Sequence, residues 1–496
     1  MVTERTKRTF CEIINYCSRR NSLEKTCPSS NELSLRPKVD AWDFRCMFQP
    51  STVAVLGVSL ERDRHPANVI FNKINLRYPV EVFPVNPRGG DLFGQKVYTG
   101  IEAIPHSVDL AIIAVRAEYS LDTLRACIDA GAGGAIIISG GFAEVGRLDL
   151  QQDLAQLARK HRFPFIGPNC LGIYVPGRID TFFIPSERMI RPEVGKVALV
   201  SQSGGVLVDQ MTKFAELGIG LSIGVSIGNK ALVRELDLLK YLAQDPETRV
   251  IAFYVEGFAS GEGREFVTAA RGCAKPVIVL KAGKTREGMR AVSSHTASMA
   301  GDYAVFSAVL AQHGIVEAAN ELELVSFCEV LSCYQESIDG RVGIISGSGG
   351  HGALAVDICG RRGLSIPVID PRQQAEIRAD LSPSVRSIAS LSNPIDLTGS
   401  ATDSDFLEAA EHLSRIPELD CIIMLLLPYS PEITSDIGAR LSRVCKRYDK
   451  PLVAYVPHVD RYRMLIEGFE FNGVPVSPSI KGAVLMVEAL RRSQPC

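Results

Sequence analysis

From position 51 onward the chain alternates short apolar runs, rich in β-branched residues, with longer segments of helical periodicity. The first runs are TVAVLGV (52–58), VEVFPVN (80–86), DLAIIAV (109–115) and GGAIIIS (133–139). A second group holds KVALVS (196–201), LSIGVSIG (221–228), VIAFYVE (250–256) and PVIVLK (276–281). A third holds RVGIIS (341–346), CIIMLLL (421–427) and PLVAYVP (451–457). Unbroken apolar runs of strand length predict strands buried on both faces, and their alternation with helices predicts parallel sheets covered on each side. The expected fold class is α/β, in three successive arrays. Seams are expected in the Pro-containing stretch 184–195 and around 337–341.

An internal repeat supports that division. VSQSGG (200–205) opens the second array and ISGSGG (345–350) opens the third, each following a strand and starting a helix. The two helical segments end alike, at Gly218 and Gly363, as glycine C-caps do. Two domains of one flavodoxin-like, doubly wound topology are the simplest account.

At 496 residues the chain is too long for one core and predicts about three domains. The first forty-odd residues are basic, but Glu4 and Glu12 argue against a transit peptide, and a secretory apolar core is missing. A net charge of −2 predicts no general attraction to nucleic acid or to an anionic membrane. The longest apolar run has only strand length, which predicts no membrane span. The 13 cysteines show no CxxC pairs and no histidines at zinc spacing. They predict no metal cluster and no disulfide scaffold, but the reduced thiols of a cytoplasmic protein.

The candidate chemistry starts with His295, in AVSSHTASMAG (291–301) beyond the strand PVIVLK and the turn AGKTREG. An imidazole among small hydroxyl residues on a loop can exchange protons or accept a phosphoryl group near neutral pH. Glu256 closes another apolar run, where a carboxylate is costly unless hydrogen-bonded or functional. It could hold one ring nitrogen of His295 and leave the other free to attack phosphorus. The turn Ser203–Gly204–Gly205 has two readings: a helix N-terminus that cradles phosphate, or a tight turn with a serine cap. Ser348–Gly350 carry less weight, because no catalytic candidate is near them in the third array. His351 reads as a surface residue at a helix start. The first array lacks GxGxxG and an acid closing its second strand, which argues against an NAD-dependent dehydrogenase. Arg88 in PVNPRGG suits a nucleotide carrying extra phosphate instead.

Taken in order, FPVNPRGG (83–90), DAGAGGAIIISGGFAEVG (129–146), IGPNCLG (166–172), GKVALVSQSGG (195–205) and SIGNKALV (226–233) resemble the NDP-forming acyl-CoA synthetases. So do LAQDPETRVIAFYVEGF (242–258), KPVIVLKAGKT (275–285), SSHTASMAG (293–301) and NPIDLTG (393–399). The resemblance is strongest to α subunits of the ADP-forming acetate–CoA ligases and extends over the first two arrays to that of succinyl-CoA synthetase. It runs from about Phe44 to the C-terminus. It implies an N-terminal extension (1–43), a CoA-binding Rossmann-like domain (44–185) and two succinyl-CoA-synthetase-like flavodoxin domains (186–336 and 337–496), with the histidine loop in the former.

The resemblance also implies roles. Acyl-CoA and phosphate would give an acyl phosphate and CoA, and the phosphoryl group would then pass to His295, steadied by Glu256 and cradled by Ser203, Gly204 and Gly205. Coenzyme A would lie against Gly57, Ser59 and Arg62, against Asn86 and Arg88, and against Ser139 and Gly140. ADP or ATP with Mg would be handled by a separate ATP-grasp β-type subunit in a homo- or hetero-oligomer, with a small carboxylic acid or acyl-CoA as substrate. The apolar Val206, Leu207 and Val208 suggest a small or apolar acyl group over a dicarboxylate. This sequence departs from the family in placing Ala297 after SHT where glycine is usual, Arg88 where lysine is usual, and Arg116 where proline is usual. Two other readings are a nucleotide-independent CoA-dependent acyltransferase of a biosynthetic pathway and a non-catalytic acyl-CoA-binding partner.

Overall fold

Each apolar run becomes a strand: the runs are short and rich in β-branched residues, and sheet pairing satisfies their backbone polar groups while both faces are buried. The computed structural model describes residues 42–259, 261–295, 302–457 and 460–493, without the side chains of 293–295. The expected extension lies outside them up to residue 41. The described residues fall in one compact unit, Ala41–Cys496.

The first sheet contains β1 (Thr52–Leu56), β2 (Glu81–Val85), β5 (Leu110–Ile113), β6 (Ala135–Ile137) and β7 (Phe165–Ile166), in the order β2-β1-β5-β6-β7. A small ribbon of β3 (Gly90–Leu92) and β4 (Gln95–Val97) lies beyond β2. The second sheet is built on β10 (Val194–Ser201), β11 (Leu221–Ser226), β12 (Val250–Val255), β13 (Val277–Lys281) and β14 (Val316–Ala318). It also recruits β8 (Gly172–Val175) and β9 (Ile179–Asp180), giving the order β14-β13-β12-β10-β11-β8-β9. β8 pairs antiparallel with β11. The third sheet contains β15 (Val342–Ser346), β16 (Ile395–Asp396), β17 (Cys421–Leu425), β18 (Leu452–Tyr455) and β19 (Val476–Ser477), in the order β16-β15-β17-β18-β19.

Numbered within each sheet, the parallel strands all run 2-1-3-4-5, the flavodoxin-like order. The sequence expectation of α/β domains of doubly wound type holds in all three. This order opens a crevice at the carboxyl edge between the first and third strands, where ligands of such sheets bind. The helices after β10 and β15 end as predicted, with Gly218 and Gly363 at φ of 70° and 72°.

The apolar layers cross the sheet boundaries. One continuous cluster holds Val53 and Val55 of the first sheet with Ile173, Val225 and Phe253 of the second. Another joins Leu171 and Val197 to Val342, Cys421 and Val484. Within it the helices Glu321–Cys333 and Ile480–Arg492 pack on each other. Because these layers are shared, the carboxyl edge of the first sheet keeps a fixed place against that of the second.

Candidate active site

β10 is central in its sheet, flanked by β11 and β12, so the turn that follows it opens into the crevice. Ser203 is extended (φ −98°, ψ 124°) and caps the helix Gly204–Glu216, its Oγ accepting the Val206 amide at 3.4 Å. Ser201 Oγ steadies the turn from behind, donating to the Ser203 carbonyl at 2.6 Å and accepting the Ser203 amide at 3.2 Å. The two glycines differ in kind. A Cβ at Gly204 would lie 2.9 Å from Leu171 Cγ, whereas one at Gly205 would meet nothing nearer than Ser203 Oγ at 4.0 Å. Gly204 is required for packing, and Gly205 leaves open space at the positive end of a helix, which suits an anion.

That space is a cavity of about 590 Å³. Ser203, Gly204, Gly205 and Glu256 line it from the second domain, and Ile138, Asn169, Cys170 and Leu171 line it from the chain that follows β6 and β7. The turn is serine-capped, and it faces a cavity.

Glu256 follows β12, and the backbone beneath it is held at every polar atom. Its amide donates to Gln202 Oε1 at 2.7 Å, and the Gly257 amide reaches the same oxygen at 3.3 Å. Lys281 Nζ donates to the Glu256 carbonyl at 2.7 Å and also to that of Ala282. Gln202 Nε2 and Lys230 Nζ donate to the Gly257 carbonyl at 2.9 and 2.5 Å, and both also reach the buried carboxylate of Glu235. Burial, and then the charge of Glu256 and a hydrogen bond to it, push the Tyr254 hydroxyl up to about 12. Burial lowers the Lys281 ammonium, with the Glu256 charge opposing.

Sequence reasoning missed Gln202, Lys230, Glu235 and Lys281 as site residues. Gln202 and Lys230 stood inside quoted motifs, and Lys281 was the polar end of an otherwise apolar run. Each was visible, but their convergence on residues 256–257 needed the sheet.

His295 ends the helix Arg286–His295, so the backbone leading to it is helical, not the open loop expected. A helix there is compatible with the run REGMRAVSS, which contains no proline and has its one glycine, Gly288, in the first turn. The Ala282 amide donates to the Val255 carbonyl at 2.9 Å, which starts this segment beside Glu256. The side chain of His295, its expected pairing with Glu256, and Ala297 lie outside the described residues.

The expected CoA residues gather at the carboxyl edge of the first sheet. Gly57 has φ 100°, and a Cβ there would stand 2.7 Å from the Ala114 carbonyl oxygen, so only glycine fits. Ser59 Oγ accepts the Arg62 amide at 3.1 Å, and the Ser59 amide donates to Asn68 Oδ1 at 2.7 Å. Asn86 donates to the Val58 carbonyl at 2.7 Å and accepts the Arg88 amide at 2.9 Å, tying the first-strand and second-strand turns together. Arg88 forms an exposed ion pair with Glu61 at 2.8 Å. The Ser139 carbonyl accepts the Asn169 amide at 2.9 Å, which sets Ser139 and Gly140 beside the cavity wall. The candidates thus form two groups, one around β1 and β2 and one at the cavity.

Asn229, also missed, ties the turn after β6 to the cavity. It donates to Glu144 at 2.5 Å and Gln151 at 3.0 Å, and it accepts from Asn169 at 3.2 Å. Glu144 in turn accepts the Gly141 amide at 2.5 Å.

The repeat in the third domain is real and differs where it matters. Ser346 holds Ser348 by the bonds that Ser201 makes to Ser203, at 2.8 and 3.1 Å. A Cβ at Gly349, however, would lie 2.7 Å from Asp396 Oδ2, so a carboxylate already stands over this turn. The half-buried ring of His351 lies 6.0 Å from that of Tyr455. Leu207 is buried in the core, whereas Val208 faces the cavity. Asp380, Glu408 and His412 bring donor atoms within 4.8 Å of one another on the third domain, where His412 is already paired with Asp380 at 2.8 Å.

Comparison with known proteins places these features in a family. Residues 51–176 match the family model described as CoA binding domain, and residues 194–331 match the succinyl-CoA ligase like flavodoxin domain. The chain is 33% identical over 461 residues to the α subunit of acetate–CoA ligase (ADP-forming) I of Pyrococcus furiosus, covering 90% of this chain and 97% of that one. It is 34% identical over 388 residues to acetate–CoA ligase (ADP-forming) I of Archaeoglobus fulgidus, of whose length it spans only 54%. A solved structure, the dinucleotide-forming acetyl-coenzyme A synthetase 1 of Candidatus Korarchaeum cryptofilum in complex with phosphate and ADP, superposes with a TM-score of 0.81 at 29% identity. That match covers 91% of this chain and 97% of the other.

Proposed function

The chain belongs to the family of ADP-forming acetate–CoA ligase α subunits, and from that premise we propose that it is the acyl-transferring subunit of an NDP-forming acyl-CoA synthetase. In this reading phosphate attacks the thioester carbonyl of an acyl-CoA, forming an acyl phosphate and releasing CoA as the thiol. A ring nitrogen of His295 then attacks phosphorus and displaces the carboxylate. The phosphohistidine passes its phosphoryl group to a nucleoside diphosphate on a separate ATP-grasp subunit, which also holds the Mg. Every step runs in reverse for synthesis of the thioester.

The observation that carries this reading is one cavity shared by an open helix N-terminus (Ser203–Gly205), a carboxylate on a fixed backbone (Glu256) and the carboxyl edge of a CoA-binding domain. The first two suit a phosphoryl group and a histidine partner, and the third suits the pantetheine end of coenzyme A. We assign His295 as the phosphorylated residue and Glu256 as its hydrogen-bonding partner. We assign Gly57, Ser59, Arg62, Asn86, Arg88, Ser139 and Gly140 to coenzyme A, and boundaries at 44–185, 186–336 and 337–496 to the three domains. Among the described residues no helix is long and apolar enough to cross a membrane. The described cysteines Cys46, Cys127, Cys170, Cys273, Cys328, Cys333, Cys359, Cys421 and Cys445 are free thiols, which favours a reducing, cytoplasmic setting.

The test is to incubate the chain with a cognate ATP-grasp subunit and γ-labelled nucleotide. Label is expected on His295 and absent from His295→Ala together with acyl-CoA turnover. Full turnover by that variant, or turnover by the chain alone without nucleotide, would overturn the phosphohistidine route, the latter in favour of a CoA-dependent acyltransferase.

A further inference from the structure

Beside the phosphate turn the cavity wall is apolar. Val208 stands four residues after Gly204, on the same helix face one turn along, and Leu171 packs on Gly204 itself. Phe183 and Ile184 close the cavity on another side. Phe183 is 38% exposed, although the neighbouring Phe182 is fully buried. The chain bends at Phe183 and Ile184 just after β9, which leaves Phe182 in the core and Phe183 on the cavity wall.

What holds the segment there is an unusual set of charges. Lys73, on the helix Pro66–Arg77, pairs with Asp180 at 2.7 Å, and Arg191 pairs with the other oxygen of Asp180 at 2.5 Å. All three side chains are nearly or fully buried. Their remaining donors converge on the backbone around Phe183. Lys73 reaches the carbonyl of Phe182, and that of Ile184 at 3.4 Å, while Arg191 reaches the Ile184 carbonyl at 3.3 Å. Asp180 accepts the Phe182 amide at 2.9 Å. The residues on both sides of Phe183 are therefore clamped through their main chain. A buried ion cluster is weak as a source of net stability, and its best-attested use is to impose one conformation.

We propose that Phe183 determines which acyl groups the cavity admits, acting as a wall that excludes longer chains, and that Lys73, Asp180 and Arg191 are positioning residues that set it. The proposal rests on the reading of this cavity as the acyl-transfer site. The acyl carbon is bonded to sulfur or to phosphate during the reaction, so its chain must lie within reach of the phosphate turn, where Phe183, Ile184, Val208 and Leu171 form the apolar surface. Neither lysine nor arginine lines the cavity among the described residues. A second carboxylate on the substrate would meet no lysine or arginine among the described residues of the lining, so the pocket selects among monocarboxylic acyl groups by length and bulk.

The test measures binding of acetyl-CoA and hexanoyl-CoA to the full chain by calorimetry, and reads the ratio of the two affinities. Discrimination by an apolar wall is worth about tenfold or more. Phe183→Ala is expected to raise the hexanoyl-to-acetyl ratio by about tenfold, and Phe183→Trp to lower it. A ratio unchanged in both variants, or one that falls in Phe183→Ala, overturns the proposal. Arg191→Met leaves the Lys73–Asp180 pair in place and should move the ratio as Phe183→Ala does, with no further shift in the double variant. Arg191→Lys should restore the wild-type ratio. A wild-type ratio in folded Arg191→Met removes the clamp from the proposal, and the Phe183 variants decide the rest whether or not it folds. If neither acyl-CoA binds the wild-type chain, the reading of the cavity itself fails.

Discussion

The side-chain oxygen of Gln202 accepts the main-chain amide of Glu256 at 2.7 Å, so the last residue before the Ser203–Gly205 turn holds the backbone that presents the carboxylate. The two come from adjacent strands, β10 and β12, at the strand-order switch of the sheet. A carboxylate meant to orient an imidazole must be placed to a few tenths of an ångström, and a buried glutamine that also grips Glu235 and Gly257 supplies that rigidity. Replacing Gln202 by leucine leaves the amides of Glu256 and Gly257 without that acceptor, at about 1–3 kcal/mol for a buried group. Phosphorylation of His295 should slow by roughly 10- to 100-fold at that cost, with a modest fall in melting temperature. Label kinetics with a cognate ATP-grasp subunit, beside a thermal melt, check both.

Gly204 and Gly205 should respond in opposite ways to the same substitution. At Gly204 an alanine Cβ would stand 2.9 Å from Leu171 Cγ and must push a packed side chain aside, so Gly204→Ala should lower the melting temperature. At Gly205 the Cβ enters open space near the start of a helix, where alanine is the better helix former by up to about 1 kcal/mol. Gly205→Ala should therefore fold at least as well as wild type while its methyl group intrudes where a phosphoryl oxygen is expected. Phosphate-dependent turnover is expected to fall about tenfold or more, a loss near 1.4 kcal/mol. Equal melting temperatures for the two variants would falsify the geometric distinction.

Much of this was legible before the fold was known, and the reason is local. The apolar runs, the serine-glycine turns and their repeat depend on neighbouring residues alone, and Ser203 and Ser348 do make the same bonds to the serine two positions earlier. What stayed hidden depends on distant pairs. Gly172–Val175 and Ile179–Asp180 are too short to announce strands, yet they extend the second sheet and carry Asp180 to Lys73. Gln202, Lys230 and Lys281 converge on residues 256–257 from three separate segments. Asp396 could not be seen to occupy the third domain's turn until β16 was laid beside β15.

Asn229 couples the turn after β6, which we propose contacts coenzyme A, to the cavity. Burial pushes the Glu144 carboxyl up, but hydrogen bonds from Asn229 and from the Gly141 amide hold it below the usual carboxylate range. Asn229→Ala removes the first of these and frees the loop that carries Ser139 and Gly140. Affinity for coenzyme A should fall by about tenfold, the worth of one good hydrogen bond to a charged group. Asn229→Asp should do worse, because it sets a second carboxylate against Glu144. Calorimetric titration of both variants with coenzyme A checks the order.

The contact between the second and third domains should carry a pH dependence of its own. Glu329, on the helix Glu321–Cys333, is buried and accepts the Val476 amide of β19 at 2.8 Å. Burial, then the charge of Glu470, push its carboxyl up to about 8 from an ordinary value of 4.5, against the lowering effect of the Val476 bond. Between those two values the folded chain keeps a proton that the unfolded chain releases. Stability contributed by the neutral acid is therefore full below about pH 4.5 and is lost progressively as pH rises toward about 8, at no more than about 1.4 kcal/mol per pH unit. Glu329→Gln keeps an oxygen for Val476 and cannot ionise, so its stability should lack this slope, and it should exceed wild type above neutrality. Denaturant unfolding of both proteins at intervals from pH 5 to pH 9 tests this, since parallel curves would place the cost of the buried carboxyl elsewhere.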